Sequence, residues 1–575
     1  MPAYRWNLPA AGSRQAAALA AALGIGLPAA KVLVHRGLAE PAAARLFLDP
    51  TLDNLYDPLT LRDMPRAIER LRQAIGSGEK ILIYGDYDVD GTVAVVVLIK
   101  AIELAGGAAG YYIPNRFQDG YGMRPEVVER AAAEGVKLIV SVDTGIRAAE
   151  VVRRAGELGI DVIVTDHHLP DADLPPALAV LNPNRRDCPY PEKNLCGAGV
   201  AFKLAQALLA DMVWPRERVG RVAESFLKMV AIATVADVVP LTGENRILVK
   251  HGLEGLRAVR NPGLRALLDV AGFNSGSVPS ARQVAFQIAP RMNAAGRMDT
   301  ARLVVELFLT SDAARARDLA RQLHEQNAER QQVEALIRDT CERMAVDDAA
   351  AALVYYSEGW HRGVLGIVAA RLVERLGRPV FVLSLNSQDG LAQGSGRSIR
   401  AFHLLDALES MADLFVRFGG HRHAAGVTLE PGRVPEFRER LAAYAAARLC
   451  AEDFRPTHEI DAVLALDEIN ERAAQEILAL APFGHGNPPP LFAALEVEIA
   501  GQPVVWNEKH LRLMARGSGR TLALKAWNFA GRAAELISGA YVDIAFTLEE
   551  DAYSAARGYP GWCAVLRDVR ASVPR

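Results

Sequence analysis

Residues 80–91 read KILIYGDYDVDG, an apolar β-strand pattern that runs directly into a loop with Asp86, Asp88 and Asp90 at alternate positions. Carboxylates this close repel one another, and keeping them ionised together normally takes a nearby cation. Every ligand offered is an oxygen, which suits hard divalent ions such as Mg²⁺ or Mn²⁺. Open α/β sheets place their ligands at the carboxyl ends of strands, so the stretch predicts both a metal site and the fold around it.

An EF-hand calcium loop is the first alternative, because Asp86–Gly91 matches its opening residues. That loop needs a bidentate glutamate at its twelfth position. The residue there is Val97, inside the apolar run TVAVVVLI, so the EF-hand interpretation is excluded.

Composition narrows the class of protein. The chain has 575 residues, 50% hydrophobic and 23% charged, which is typical of a globular protein of three or four domains. Its net charge of −3 argues against a uniformly basic nucleic-acid-binding protein, but not against local basic clefts. Five cysteines without CxxC pairing indicate a reducing compartment and no structural zinc. Without an apolar run long enough to span a membrane, we expect a cytoplasmic, membrane-free protein.

Apolar β-rich runs alternate with helical patterns between residues 80 and 240. This alternation predicts a parallel sheet with helices on both faces. The expected strands are Ile81–Tyr84, Gly110–Ile113, Leu138–Val142, Asp161–Val164 and Ala179–Leu181. The expected helices between them are Val93–Leu104, Pro125–Glu134 and Ala148–Leu158.

The rest of the chain divides into three further parts. Residues 301–348 contain no glycine or proline and predict a long helix joining two domains, with two shorter helices as the alternative. A second, smaller α/β unit follows, and alternating stretches with Gly-rich turns then predict a C-terminal β-barrel. The predicted domains are 1–310 with its motif core at 80–240, the connecting helix 311–348, the small α/β domain 349–452 and the barrel 457–575.

Further polar residues follow the predicted elements of the sheet. Asp143 ends one strand, the pair His167 and His168 follows the next, and Asp237 lies near the end of an apolar helix. Each has an ordinary explanation, such as a helix cap for Asp143. Parallel strands nevertheless bring their carboxyl ends to one edge, and five or six oxygen and nitrogen ligands around two ions are typical of phosphoryl-transfer enzymes.

Four motifs together resemble the DHH phosphoesterase family: GDYDVDG, SVDTG, VTDHHLP and ATVADVV. Four more are similar to the branch of that family that degrades single-stranded DNA from the 5′ end: NRFQDGYGM at 115–123, IAPRMNAAGRM at 288–298, GSGRSI at 394–399 and FGGHRHAAG at 418–426. The resemblance implies a DHH domain, a smaller DHHA1 domain and a C-terminal OB-fold barrel that binds single strands.

The resemblance also implies the composition of a two-metal centre for Mn²⁺ or Mg²⁺. Asp143 takes the bridging position in a ligand set of Asp88, Asp90, Asp143, His167 and Asp237. Asp86 supports the cluster and His168 faces the scissile phosphate. Tyr84 stands where relatives that cleave small phosphates have a metal-binding histidine.

Substrate contacts are expected further along the chain. Ser395 and Arg397 lie in what we predict to be a Gly-rich turn before a helix, which suits a phosphate pocket, although an ordinary loop has the same composition. The resemblance implies that these two residues and Arg116 hold the 5′-terminal phosphate. Its remaining implications are Arg291 and Asn293 stabilising charge on the reacting phosphate, His421 contacting the sugar-phosphate backbone, and Tyr121 stacking on a base or lying in the core.

The implied function is a two-metal 5′→3′ exonuclease of single-stranded DNA that releases 5′-mononucleotides in recombination and repair, as a monomer. Single-strand-binding protein and repair helicases are the partners that the resemblance implies. One alternative is another DHH phosphodiesterase acting on oligoribonucleotides, cyclic dinucleotides or pyrophosphate, from which the predicted third domain would distinguish it. A second is a non-catalytic DHH-like scaffold, which the complete ligand set disfavours.

Overall fold

The computed structural model describes residues 4–10, 13–116, 120, 122–210, 212, 214, 216–344, 349–385 and 390–572. The chain divides into two compact units. The large unit comprises Trp6–Gly296, Thr300–Arg321 and Glu459–Arg575, and the small unit comprises Met1–Arg5, Arg297–Asp299 and Gln322–His458.

Strands and helices alternate through much of the described chain. The strands are β1 (Arg5–Asn7), β2 (Lys80–Tyr84), β3 (Ala109–Tyr112), β4 (Val136–Val142), β5 (Asp161–Thr165), β6 (Ala179–Leu181), β7 (Leu353–Glu358), β8 (Val380–Leu385), β9 (Ala392–Arg397), β10 (Phe415–Gly420), β11 (Ala424–Leu429), β12 (Thr457–Glu459), β13 (Ala462–Val463), β14 (Phe492–Ile499), β15 (Val504–Trp506), β16 (His510–Gly517), β17 (Arg520–Ala526), β18 (Tyr541–Glu550) and β19 (Trp562–Ala571). The α-helices are α1 (Ser13–Leu23), α2 (Leu27–His35), α3 (Pro41–Leu48), α4 (Met64–Gly76), α5 (Val89–Leu104), α6 (Pro125–Ala133), α7 (Ala149–Glu157), α8 (Gly197–Leu209), α9 (Arg216–Ala236), α10 (Gly243–Gly255), α11 (Pro262–Val270), α12 (Ala281–Gln283), α13 (Ala289–Met298), α14 (Arg302–Leu309), α15 (Ala313–Arg343), α16 (Leu365–Leu376), α17 (Leu404–Glu409), α18 (Val434–Ala446), α19 (Glu471–Leu478) and α20 (Ala552–Ala555).

The first sheet of the large unit is parallel throughout, with strand order β3-β2-β4-β5-β6. The five strands predicted from the sequence are confirmed, each to within two residues at its ends. After β2 the chain moves to one side to form β3 and then returns to the other side of β2 to form β4. Strand order therefore reverses beside β2, and open α/β sheets open a ligand crevice at the carboxyl ends of the strands that flank such a point.

The C-terminal strands close into a barrel. Its sheet runs β13-β14-β18-β19-β17-β16-β15, and β14 also pairs with β16, which joins the two ends. The predicted C-terminal β-barrel is confirmed. The barrel core also takes in buried residues of α1, α2 and α3, among them Leu19, Leu33 and Phe47. These N-terminal helices thus share a hydrophobic cluster with the barrel, whereas the sequence groups them with the parallel sheet.

The small unit contains a mixed sheet of order β10-β11-β9-β8-β7, in which only β7 and β8 run parallel. The prediction that GSGRSI forms a turn is wrong, because residues 394–397 belong to the central strand β9. Its glycines serve close packing instead. A Cβ on Gly394 would lie 2.5 Å from the Val382 carbonyl oxygen, and one on Gly396 would lie 2.4 Å from the Phe381 ring.

The predicted long connecting helix is present as α15. The predicted helical region 301–348 also contains the break that the alternative required, because a shorter helix, α14, precedes α15. The helical region divides into α14 and α15 at residues 310–312. Asp312 accepts a hydrogen bond from the Ala314 backbone at 2.7 Å, a capping interaction that the Thr-Ser-Asp sequence carries. The 31 residues of α15 span about 46 Å.

Among the described residues, no single helix has the length and apolar composition of a membrane span. One bent pair of helices, Arg14–Leu23 with Leu27–His35, meets that test by length and composition alone.

Candidate metal centre

Candidate ligands from four elements meet at the carboxyl edge of the parallel sheet, beside the reversal of strand order. Asp86 follows β2, Asp143 follows β4, His167 and His168 follow β5, and Asp237 follows the last residue of α9. Parallel pairing of β2 with β4 and of β4 with β5 brings these ends together, as the sequence predicts.

The DYDVD loop corrects one expectation about geometry. Asp88 is the N-cap of α5 and accepts a hydrogen bond from the Gly91 backbone at 3.0 Å, so Asp90 lies inside the first turn of that helix and not at a strand end. The Asp90 carboxylate accepts hydrogen bonds from the backbone N–H groups of Gly197 at 2.6 Å and Ala198 at 2.8 Å. The amino end of α8 therefore supports one candidate ligand with two fixed donors.

Three groups of side chains have ligand atoms within 4.8 Å of one another. The groups are Asp86 with Asp88 and Asp143, Asp90 with His167 and Asp237, and Asp143 with His167 and His168. The first two groups separate Asp88 from Asp90, as expected for residues that serve different ions. Asp143 connects them, because it belongs to the first group and its Oδ1 lies 3.1 Å from His167 Nε2.

Burial raises the pKa of the clustered carboxyls. Burial and the neighbouring Asp88 raise the pKa of Asp86 to about 8. Burial, with Asp90 and Asp88 nearby, raises the pKa of Asp237 to about 9. The pKa values of Asp90 and Asp143 are also raised, again by burial first. Burial lowers the pKa of His167, which favours the neutral imidazole that binds metals.

Several buried oxygens in this cluster have no hydrogen-bond partner among the residues that the structure describes. They are Asp86 Oδ1, Asp143 Oδ1 and Asp237 Oδ2, one on each of three different elements. A buried acceptor without a partner costs roughly 1–3 kcal/mol, and more if it is charged. Cations supply what these oxygens lack, and the set of carboxylates plus one imidazole suits Mn²⁺ or Mg²⁺. The residues therefore fit a divalent metal centre.

Asp166 fixes the orientation of the turn that carries His167 and His168, a role that the sequence analysis did not predict. Its Oδ1 lies 2.7 Å from His168 Nδ1 and accepts from the backbone of His167 at 2.7 Å, while its Oδ2 accepts from Ile146 at 3.0 Å. Burial works against charge at both side chains, yet their hydrogen bond lowers the pKa of Asp166 and raises the pKa of His168. His168 is therefore half exposed beside the carboxylates, and the contact of its Nδ1 with Asp166 favours the imidazolium form.

Backbone conformation at two positions is strained. Asp143 has a φ of 58° and Val238, the residue after Asp237, has a φ of 60°. Left-handed backbone is tolerated by Asp but unfavourable for a β-branched residue such as Val. Strain of this kind persists where the surrounding structure imposes it, and here it lies at or next to two candidate ligands.

Glycine and asparagine residues that the sequence analysis did not single out complete the site. A Cβ on Gly197 would lie 2.6 Å from Asp143 Cβ and 2.7 Å from Asp143 Oδ1, and one on Gly91 would meet the Asp86 backbone at 2.7 Å. Asn182 and Asn184 donate their side-chain amides to the carbonyls of His168 at 2.9 Å and His167 at 2.6 Å. These close contacts and hydrogen bonds join residues that lie apart in the sequence. Only the glycines of CGAG at 196–199 indicate one of them, the close packing at Gly197.

The helix α13 carries the other residues expected near the phosphate. Asn293 Oδ1 accepts a hydrogen bond from the Val89 backbone at 3.2 Å, which holds the DYDVD loop. Arg291 donates to the carbonyl of Gln287, four residues earlier in the chain, and burial lowers the pKa of its guanidinium. Arg116 lies over the ring of Tyr87 at 5.2 Å, next to Asp86 and Asp88 in sequence. Tyr121 lies outside the described residues.

Tyr84 ends β2 and is fully buried. Its hydroxyl donates to the Gly122 carbonyl at 3.3 Å.

The expected phosphate-binding residues of the small unit lie on β9. Ser395 and Arg397 are two residues apart and therefore share one face of the strand. A Cβ on Gly366 would lie 2.9 Å from Arg397 Nη2, so the guanidinium rests against the first turn of α16. The turn that carries His421 is close in the sheet, because the Ser398 backbone donates to the His423 carbonyl at 3.1 Å. The helix beside Arg397 is α16 and not the downstream α17 that the sequence suggested.

Comparison with known proteins identifies relatives of all three parts of the chain. Family models match the N-terminal domain of the DHH family at residues 80–234, the DHHA1 domain at 349–447 and the RecJ OB domain at 460–558. The single-stranded-DNA-specific exonuclease RecJ of Bacillus subtilis is 37% identical over 94% of this chain and 68% of its own length. RecJ of Dickeya dadantii is 41% identical over 82% of this chain and 84% of its own.

Two solved structures are also similar. The crystal structure of RecJ from Thermus thermophilus in complex with Mn²⁺ matches with a TM-score of 0.83 and 32% identity, over 99% of this chain and 80% of that chain. A structure of exonuclease RecJ bound to manganese matches with a TM-score of 0.60 and 37% identity, over 68% of this chain and 98% of that chain.

The contact between Gly197 and Asp143 generates a prediction. Gly197→Ala should lower Mn²⁺ affinity at least about 10-fold, because the new methyl group displaces the Asp143 carboxylate, which belongs to one group of ligands and lies beside His167 of the other. Isothermal titration calorimetry measures this directly. Gly199→Ala is the matched control in the same helical turn, since its Cβ would make only ordinary contacts, with Leu195 at 3.4 Å and Cys196 Sγ at 3.8 Å. Equal Mn²⁺ affinities for the two variants would contradict the packing that we describe.

Proposed function

Because this chain belongs to the RecJ family of single-stranded-DNA-specific exonucleases, we propose that it hydrolyses single-stranded DNA from the 5′ end at the carboxylate cluster of its parallel sheet. The observation that carries this proposal is the pair of ligand groups joined through Asp143. Asp88, with Asp86, belongs to one metal position, and Asp90, His167 and Asp237 belong to the other. Mn²⁺ or Mg²⁺ ions, when bound there, supply a more acidic water and neutralise charge on the reacting phosphate.

Groups of the chain itself hold the metal ligands in position and supply a proton to the leaving oxygen. The amino end of α8 holds Asp90 in place, and Asn293 holds the backbone of the DYDVD loop. His168 is oriented by Asp166 and is half exposed, with a raised pKa. Its imidazolium therefore stabilises negative charge on the scissile phosphate and can pass a proton to the leaving oxygen. Arg291 is the further cation that we assign to the reacting phosphate.

The 5′ end is selected by a phosphate-binding site built around Arg397. A guanidinium resting on the first turn of a helix places two positive features side by side, which a terminal phosphate satisfies. Ser395 on the same strand face and His421 in the neighbouring turn add polar groups. Arg116 is a further phosphate contact that the family resemblance implies. Binding the terminal phosphate fixes which phosphodiester is cleaved, and hence the release of 5′-mononucleotides.

The barrel supplies a surface for the strand. In an OB fold the second and third strands bind oligonucleotides, and here these are β16 and β17. Alternate residues of β16 are exposed, namely Arg512, Met514 and Arg516. Trp506 and Trp527 contact each other edge to face at 5.4 Å near one end of this face, and Trp527 is 44% exposed. We assign DNA stacking to Trp527 and the basic groove to Arg512 and Arg516.

Two other aromatic side chains of the barrel, Trp562 and Tyr541, are not assigned to DNA stacking. Trp562 donates its indole N–H to Glu471 at 2.6 Å, which indicates a structural part. Tyr541 is largely exposed and lies on β18, away from the second and third strands. The domain boundaries, the monomeric state and recruitment by single-strand-binding protein and repair helicases remain predictions from the family resemblance.

The exonuclease assignment is tested with strands labelled at either end. Wild-type protein with Mn²⁺ should release a 5′ label as its first, mononucleotide product, and EDTA should stop the reaction. Asp143→Ala should reduce cleavage by about 10³-fold or more, because one ligand group loses a member and His167 of the other group loses its neighbouring carboxylate, while DNA binding measured by anisotropy stays within a few-fold. Asp171→Ala, at an exposed carboxylate in the segment after β5, is the control. Cleavage by Asp143→Ala above about a tenth of wild type would sink the bridging assignment.

The polarity assignment predicts a substrate-dependent effect of Arg397→Ala. The loss in kcat/KM should be about 10- to 100-fold on 5′-phosphorylated strands, the effect of losing a hydrogen bond to a charged group, and clearly smaller on 5′-hydroxyl strands. Arg417→Ala, at an exposed arginine on the edge strand β10, should leave both substrates unaffected. An equal loss on the two substrates would show that Arg397 does not recognise the terminal phosphate.

A further inference from the structure

A π-helical turn interrupts the helical segment that leads to the metal centre. It comprises Val284–Ile288 and lies between α12 and α13. Turns of this kind are rare and are frequently found at functional sites. Val284 and Ile288 are buried, whereas Phe286 between them is 63% exposed. The turn therefore holds a large aromatic ring in solvent on a well-anchored backbone.

The turn is tied to the metal centre from two sides. Downstream, α13 carries Asn293, which accepts from the Val89 backbone, and Gly296, where a Cβ would lie 2.3 Å from the Tyr87 carbonyl oxygen. The π-helical turn also packs against α9, the helix that ends beside Asp237. Seven residues separate Phe286 from Asn293, or about 10 Å along a helix axis. Phe286 is thus held at a fixed and short distance from the DYDVD loop.

The surroundings of Phe286 suit a nucleobase. The guanidinium of Arg282, which is itself exposed, lies 6.0 Å from the centre of the Phe286 ring. An aromatic ring accompanied by a guanidinium is the combination that proteins use to stack unpaired bases while attracting the phosphate backbone. An apolar ring left in solvent gains free energy when a base covers it.

We propose that Phe286, with Arg282 beside it, is a stacking platform for an unpaired base of the DNA strand close to the metal centre. The proposal rests on the proposed single-strand exonuclease function. It adds a residue that holds the strand by its bases, separate from the terminal-phosphate contacts of Arg397. Because every base has a π-face, the platform tolerates any sequence, as degradation of arbitrary strands requires.

The test is a double-mutant cycle between Phe286 and the base. Wild-type and Phe286→Ala proteins are compared by kcat/KM, with Mn²⁺, on a 5′-phosphorylated strand and on a series carrying one abasic nucleotide at successive positions from the 5′ end. We expect Phe286→Ala to lower kcat/KM about 5- to 150-fold on the unmodified strand, the effect of one lost base stack. Where the abasic nucleotide lies opposite the ring, the same substitution should have little further effect. Phe286→Trp should retain activity, and Phe286→Leu should behave like Phe286→Ala.

Two results would overturn the proposal. One is a kcat/KM of Phe286→Ala that is undiminished on the unmodified strand. The other is a loss of kcat/KM, caused by Phe286→Ala, that is the same at every abasic position. Leu59→Ala removes a similarly exposed apolar side chain, 54% exposed, and is the control for surface truncation. Cleavage of the unmodified strand by the wild-type protein tests the proposed function by itself. Failure of the stacking contact is therefore distinguishable from failure of the exonuclease assignment.

Discussion

Repulsion among buried carboxylates at one edge of the parallel sheet is the constraint on which the site depends. Asp86, Asp90, Asp143 and Asp237 all have raised pKa values, with burial as the first cause in each. Three of their oxygens are buried without a hydrogen-bond partner. A protein without function would gain stability by replacing such groups. Divalent cations explain the arrangement, because they replace the lost hydration and remove the repulsion together.

Holding these ligands in place costs the surrounding fold conformational free energy. Asp143 occupies left-handed backbone, Val238 is strained beside Asp237, and Gly197 leaves room that any side chain would fill. The amino end of α8 and the buried Asp166 then fix Asp90 and His168 by hydrogen bonds. Since the ligands come from four elements, ions bound to them also connect those elements. Metal binding should therefore contribute to folding stability as well as to chemistry.

Sequence reasoning brings the candidate ligands together because parallel strands end at a common edge. The strands β2, β4 and β5 deliver Asp86, Asp143 and His167 as their patterns predict. The sequence places Asp90 in a loop, whereas the capping hydrogen bond of Asp88 starts α5 at Val89, four residues before the predicted helix Val93–Leu104. The glycines of GSGRSI predict a turn, but they meet the steric needs of a central strand. Gly197, Asn182 and Asn184 act through neighbours distant in sequence, and such proximity leaves no local signal.

The central claim is that these carboxylates are all ionised at the same time only when cations are bound. The most direct test is calorimetric titration of the metal-free protein with Mn²⁺ at pH 7, in two buffers that differ in ionisation enthalpy. With the pKa of Asp86 raised to about 8 and that of Asp237 to about 9, both groups hold protons at pH 7 before metal binds. The account predicts roughly two ions per chain with net release of protons. Tight binding without proton release, or no binding of Mn²⁺, would contradict it.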